Sequence, residues 1–234
     1  MNSNKKAARI AGMWYLFMAL FYTFSMIYVD SSFYVPGDVV STVNNILASE
    51  WIFRLGFISC LIGHICFLFL ANALYKLFKP VDSNLARQMV ILIIVGVSVA
   101  FLNRLNQLAS VLLLNGAGYL SSFKTSQLHA LAMVFLDLHK HGGMITMIFW
   151  GLWLLPLGLL IFKSDIIPKV LGILLISACF CYLIDFFVFF FFPGYIEATD
   201  TVFSVVEAVA EVSFILWLLI RGVKGKKSDA CGVT

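Results

Sequence analysis

An all-α bundle of six membrane-spanning helices is the fold that three features of this chain predict. Its residues are 62% hydrophobic and only 12% charged, and its mean hydropathy is +0.98, whereas soluble domains run to about 45–50% apolar and about 25% charged residues. The apolar residues gather in six runs, 8–28, 51–76, 88–114, 141–162, 168–192 and 201–221. At ~1.5 Å per helical residue each run is long enough to cross ~30 Å of hydrocarbon. The connecting segments alternate between basic and acidic. One transmembrane domain over 1–234 results, with no room for a separate soluble domain and with a flexible basic cytoplasmic tail over 222–234.

The first run follows Lys5, Lys6 and Arg9, reaches Val29 and offers no small-x-small cleavage site, so it reads as an uncleaved first span rather than a secretory signal. Pro36-Gly37-Asp38 then gives a turn and a helix N-cap. Val39, Val43, Ile46 and Leu47 recur beyond it at helical spacing, which predicts a short interfacial helix over 38–49. Trp51 marks the headgroup level where the second span starts. Ahead of the fourth span, Leu128, Leu131, Phe135 and Leu138 form another apolar stripe over 125–139. Continuous with that span it would make a helix of about 38 residues and ~57 Å, so a second interfacial helix and a break at His141-Gly142-Gly143 are expected.

The basic residues set the orientation. Lys76, Lys79 and Arg87, then Lys163 and Lys169, then Arg221, Lys224, Lys226 and Lys227 lie on the same side as the basic N-terminus, while the opposite loops carry Asp30, Asp38, Glu50, Glu197 and Asp200. The positive-inside rule therefore puts both termini in the cytoplasm. The net charge of +4 is topogenic and implies the lipid bilayer as partner, not nucleic acid. Cys60 and Cys66, Cys179 and Cys181, and Cys231 in the tail leave no pair in an outer loop for a disulfide. Gly232 rules out prenylation at Cys231. A weak echo between LYKLFKPVDSNLARQMVILII and GLLIFKSDIIPKVLGILLI leaves a duplicated hairpin open.

Arg54, Arg104, Asp185, Glu207 and Glu211 stand inside the apolar runs. An ionisable group near the bilayer centre costs ~2.5–3.5 kcal/mol even on the lenient insertion scale, so unpaired charges would be untenable. Counted from the outer ends of their spans they lie at overlapping depths of roughly 5–16 Å, and the expectation is that they meet. Asn103 and Gln107 share the face of Arg104's helix with Ser110; Ser204, Glu207 and Glu211, and Ser177, Cys181 and Asp185, form polar stripes on the last two helices. His139 and His141 enter at the outer mouth of the fourth span. The candidate pocket residues are thus Arg54, Asn103, Arg104, Gln107, His141, Asp185, Glu207 and Glu211.

Three readings stay open: a structural charge network, a pocket for a small amphiphilic or anionic ligand, and an intramembrane hydrolase or metal enzyme using Asp185, Glu207, Glu211, His139 and His141 as metal ligands or acid/base pair. No motif of fixed metal meaning is present. His64 lacks a facing histidine at its depth, against a haem site. Cofactor and oligomeric state are unspecified. Gly63, Gly96, Gly142 and Gly143 read as points of close helix packing.

The stretches NKKAARIAGMWYL, VPGDVVSTVNNILASEWIFRLGF, FLDLHKHGG and IFKSDIIPKVLGILLI followed by CYLIDFF resemble a bacterial membrane family known as domain of unknown function 4386 (DUF4386). The resemblance spans nearly the whole chain. It implies a six-helix protein of the bacterial inner membrane and supplies no activity, cofactor or catalytic residue.

Overall fold

The computed structural model describes residues 3–223; the part of the expected tail at 224–234 lies outside the described residues. Nine α-helices are present among them: α1 (Ser3–Tyr22), α2 (Ser31–Phe33), α3 (Val39–Ala48), α4 (Glu50–Phe78), α5 (Ser83–Leu114), α6 (Thr125–Leu152), α7 (Leu154–Lys163), α8 (Lys169–Phe191) and α9 (Ile196–Ile220). No strand occurs among the described residues. Six helical stretches are long and apolar enough to cross a membrane: Lys5–Phe33, Glu50–Phe78, Ser83–Leu114, Thr125–Lys163, Lys169–Phe191 and Ala198–Ile220. The chain is a multi-pass, all-α membrane protein.

Two boundaries differ from the sequence expectation. The first span does not stop at residue 28: α1 continues as a π-helix over Thr23–Asp30 and then as α2. The polar run Asp30-Ser31-Ser32 looked like a helix end. Its serines are accommodated because their hydroxyls donate back to the carbonyls of Ile27 and Tyr28. The fourth span does not break at His141-Gly142-Gly143 either; α6 runs unbroken from Thr125 to Leu152, so the helix expected over 125–139 is its first half. The break falls at Trp153. Pro156 causes it, because proline has no N–H for the carbonyl of Leu152 and its ring crowds that carbonyl. Helical bonding resumes weakly, with the Leu157 N–H at 3.4 Å from the Trp153 carbonyl.

The chain forms two compact units. Among the described residues the first comprises 3–15, Phe69–Leu92 and 151–223. There α8 packs on α7 and α9. Gly158 and Gly172 let backbones touch, since a Cβ on either would meet the other's carbonyl at 2.9–3.0 Å. The rings of Trp153 and Phe214 lie 5.8 and 6.1 Å from that of Tyr15. In the α4–α5 turn Asp82 accepts a hydrogen bond from Lys163 (2.6 Å) and from the first amides of α5. These bonds, Lys163's foremost, hold its carboxyl below the usual carboxylate range. Gly222, at φ 66°, ends α9 in the left-handed region that glycine tolerates, and Val223 beyond it is buried.

The second unit comprises Leu16–Leu68 and Ile93–Trp150. Val29, Phe33, Ile46, Phe53, Val111, Met133 and Leu136 make one apolar core. Gly56 admits Val29, Gly63 admits Tyr22, Gly96 admits Phe149, and Gly142 admits the Asn103 side chain, each at a distance no Cβ would allow. Gly143 does not serve packing as expected; nothing lies within 4 Å of where its Cβ would be. The short helix α3 forms where its stripe predicted, capped by Asp38, which accepts from the Ser41 N–H at 2.9 Å. The Ser41 hydroxyl, 2.6 Å away, and that N–H hold the Asp38 carboxyl low.

Candidate functional site

A cavity of about 300 Å³ lies inside the second unit, at the lower end of the range usual for ligand pockets. Along α6 its lining runs from Leu136 to Trp150, roughly 21 Å at the helical rise. It is therefore a long slot. Met26, Phe33, Ile46, Phe53, Met144 and Met147 give it an apolar wall. Thioether and aromatic side chains of this kind adapt to irregular apolar partners.

The polar part of the lining includes one face of α5, where Asn103, Arg104 and Gln107 follow at helical spacing. Asn103 locks α5 to α6: its Nδ2 donates to the His139 carbonyl (2.8 Å), and His139 Nδ1 donates to the Asn103 carbonyl (3.2 Å). Arg104 is buried. Its guanidinium donates to Gln107 Oε1 at 2.6 Å and to Cys60 Sγ at 2.7 Å. Its nearest carboxylate is Asp30, at 3.8 Å, and Asp30 in turn accepts from Gln107 Nε2 at 3.4 Å. Toward the Tyr34 end, Lys140 sits over the Tyr34 ring (5.7 Å) and the Tyr34 hydroxyl donates to Asp137 (3.0 Å). Burial first, then that carboxylate, pushes the Tyr34 hydroxyl pKa up.

At the far end stand His64 and Trp150, with ring centroids 6.3 Å apart. His64 Nδ1 approaches the Cys60 carbonyl at 2.7 Å. A carbonyl only accepts, so Nδ1 carries the hydrogen and the neutral ring's Nε2 is an acceptor. Neither that Nε2 nor the Trp150 Nε1–H has a hydrogen-bond partner, though both are buried. Such orphaned groups cost roughly 1–3 kcal/mol each.

Of the eight candidate residues, the cavity gathers Asn103, Arg104 and Gln107, and it adds His139. The other five lie elsewhere. His141 turns its Nδ1 to the Asp137 carbonyl (2.8 Å). Arg54 pairs with Glu50 at 2.5 Å, its side chain 54% exposed. Asp185, Glu207 and Glu211 belong to the first unit. There Glu211 accepts hydrogen bonds from Tyr15 (2.8 Å) and Tyr182 (2.7 Å), while Asp185 and Glu207 are buried and Glu207 Oε1 has no partner. The expectation that the two arginines would neutralise these three acids is therefore corrected. Each arginine takes a carboxylate from its own neighbourhood, Glu50 one turn before Arg54 and Asp30 beside Arg104.

Several residues around Arg104 are not foreseen from the sequence. Asp30 stands there among the acids of the outer loops, and no spacing rule links it, Cys60 or Lys140 to Arg104. Ile46 carries a signal in the stripe of α3, and Thr42 carries none. Among the described residues no three His, Cys, Asp or Glu side chains are grouped so as to hold a metal ion.

No curated protein and no solved structure matches the chain. A family model does, over residues 10–222, under the description "Domain of unknown function (DUF4386)". The match takes in all six spanning stretches but for the first residues of the first and covers every residue that lines the cavity, so this multi-pass membrane protein belongs to the DUF4386 family.

Proposed function

We propose that the chain is a membrane-embedded binding module that takes a small amphiphilic ligand into the cavity of its second unit, in lipid or small-molecule binding, sensing or transport. The observation that carries this reading is the mixed lining of the slot. Its methionines and phenylalanines suit an alkyl chain, and Arg104, Asn103, Gln107 and Lys140 offer hydrogen-bond donors to a head group. A network that served only to fix helix register would gain nothing from empty volume beside it, because contacts are lost along every unfilled wall. The direct test is mass spectrometry of what stays bound to the detergent-purified chain; a single retained amphiphile in stoichiometric amount is expected, and its absence would remove the reading.

The Lys/Arg asymmetry supports an inner-membrane location with both termini cytoplasmic. In that orientation the loop bearing α3, which contributes Thr42 and Ile46 to the lining, is extracytoplasmic, so that end of the slot lies toward the outer side. In the first unit, Glu211 fits a structural role instead. Two tyrosine hydroxyls clamp Glu211, which is how a carboxylate is satisfied where water is scarce.

A further inference from the structure

Arg104 is an arginine without a close anion. Its guanidinium donates hydrogen bonds to a neutral amide oxygen and to a sulfur, a weak acceptor. Asp30 stands at 3.8 Å, whereas charge-assisted N–H···O contacts to a carboxylate close to about 2.7–2.9 Å and are often bidentate. Asp30 is also the more exposed partner, at 31% of its side chain against 7% for Arg104. Its other contact, from Gln107 Nε2, is long at 3.4 Å. Both charged groups line the cavity. Asp30 ends the eight-residue π-helix Thr23–Asp30, a conformation that is rare and tends to mark functional positions in helices.

On the binding role proposed above, we infer that Asp30 is a built-in competitor for Arg104, and that the ligand's head group is an anion, carboxylate or phosphate, which takes the guanidinium from it. The loose contact neutralises Arg104 while the slot is empty, so that no bare cation is left in an apolar interior. It is weak enough to be exchanged for a bidentate anion from outside. Lys140 also lines the slot, with its ammonium over the Tyr34 ring at 5.7 Å. The exchange makes charge a condition of binding. A neutral amphiphile offers Arg104 nothing better than Asp30, whereas an anionic one replaces a 3.8 Å contact by one of full strength.

The test is calorimetric titration of the detergent-solubilised full chain with decanoate, decyl phosphate and 1-decanol. The wild-type chain should take both anions at least about tenfold more tightly than the alcohol, the margin a charge-assisted bond supplies. Asp30→Asn, which removes the competitor and keeps its shape, should tighten decanoate binding by about tenfold and leave decanol unchanged. Asp30→Glu, one methylene longer and able to close on Arg104, should weaken decanoate several-fold. Opposite signs for these two variants are what exchange requires; a merely structural Asp30 would give losses in both. If Asp30→Asn does not fold, Asp30→Glu is titrated with decanoate and 1-decanol together: a loss for decanoate with decanol unchanged is what exchange requires, whereas an equal loss for both, or unchanged or tighter decanoate binding, overturns the inference. Binding of all three probes with equal affinity overturns the inference and leaves the binding role intact. Binding of none removes the binding role itself. Inorganic phosphate should not displace decanoate; if it does so as well as decyl phosphate, the ligand is a free anion and not an amphiphile.

Discussion

A carboxylate buried among helices stays tolerable only while something donates to it, and the first unit shows two outcomes. Glu211 is held by two phenols, one from α1 and one from α8, at 2.8 and 2.7 Å. Glu207, one turn earlier on α9, has an oxygen with no partner. Tyr182→Phe removes one of the two donors and should lower stability by about 1–2 kcal/mol in thermal unfolding of the purified chain. Glu211→Gln in the Tyr182→Phe background should then cost less than Glu211→Gln alone, since the phenol that served the charge is already gone. Strictly additive costs would show that the hydroxyl and the carboxylate do not act as a pair. At this scale the sequence put Arg104 on one face with Asn103 and Gln107 but did not show Asp30 as its partner. Residue counting gives depth along a helix axis, and the choice between Asp30 and the distant acids as partner to Arg104 depends on which helices face one another.

Helix geometry separates two adjacent glycines of α6. A Cβ on Gly142 would run into the Asn103 side chain, which ties α5 to the His139 carbonyl; a Cβ on Gly143 meets nothing and faces the slot. Gly142→Ala should therefore destabilise by roughly 1–3 kcal/mol, the usual cost of overpacking. Gly143→Ala should be neutral, or stabilising by up to about 1 kcal/mol from helix propensity. Equal effects in chemical or thermal unfolding would mean that α5 and α6 do not approach as described. The helices themselves were legible: six apolar runs gave six spanning stretches, and Pro36-Gly37-Asp38 gave the start of α3. What misled was the use of bilayer thickness to place a break at His141-Gly142-Gly143. The covalent reason for a break, the missing N–H of Pro156, stood fourteen residues beyond Gly142 and was the stronger signal. The π-helix of Thr23–Asp30 left no trace in the pattern, because an apolar stretch with one closing acid reads the same in either helix type.

At the scale of the whole molecule the distribution of lysine and arginine remains the guide to orientation. A reporter fused after Thr234 should score cytoplasmic and one inserted at Ser121 extracytoplasmic; reversal at both sites would turn the slot toward the cytoplasm and with it the side from which a ligand enters. Membership in the DUF4386 family and the six spanning stretches define what kind of protein this is. The slot beside Arg104 is the feature on which its proposed role depends. Its occupant is read most directly by comparing the small molecules retained by three purified chains: wild type, Arg104→Gln and Gly143→Leu. The last leaves every charge in place and only fills the open volume. A single amphiphile, stoichiometric in the wild type and lost from both variants while each still elutes as a folded species, is the result the binding role predicts. The same amphiphile retained equally by all three chains, or none retained by the wild type, would contradict it.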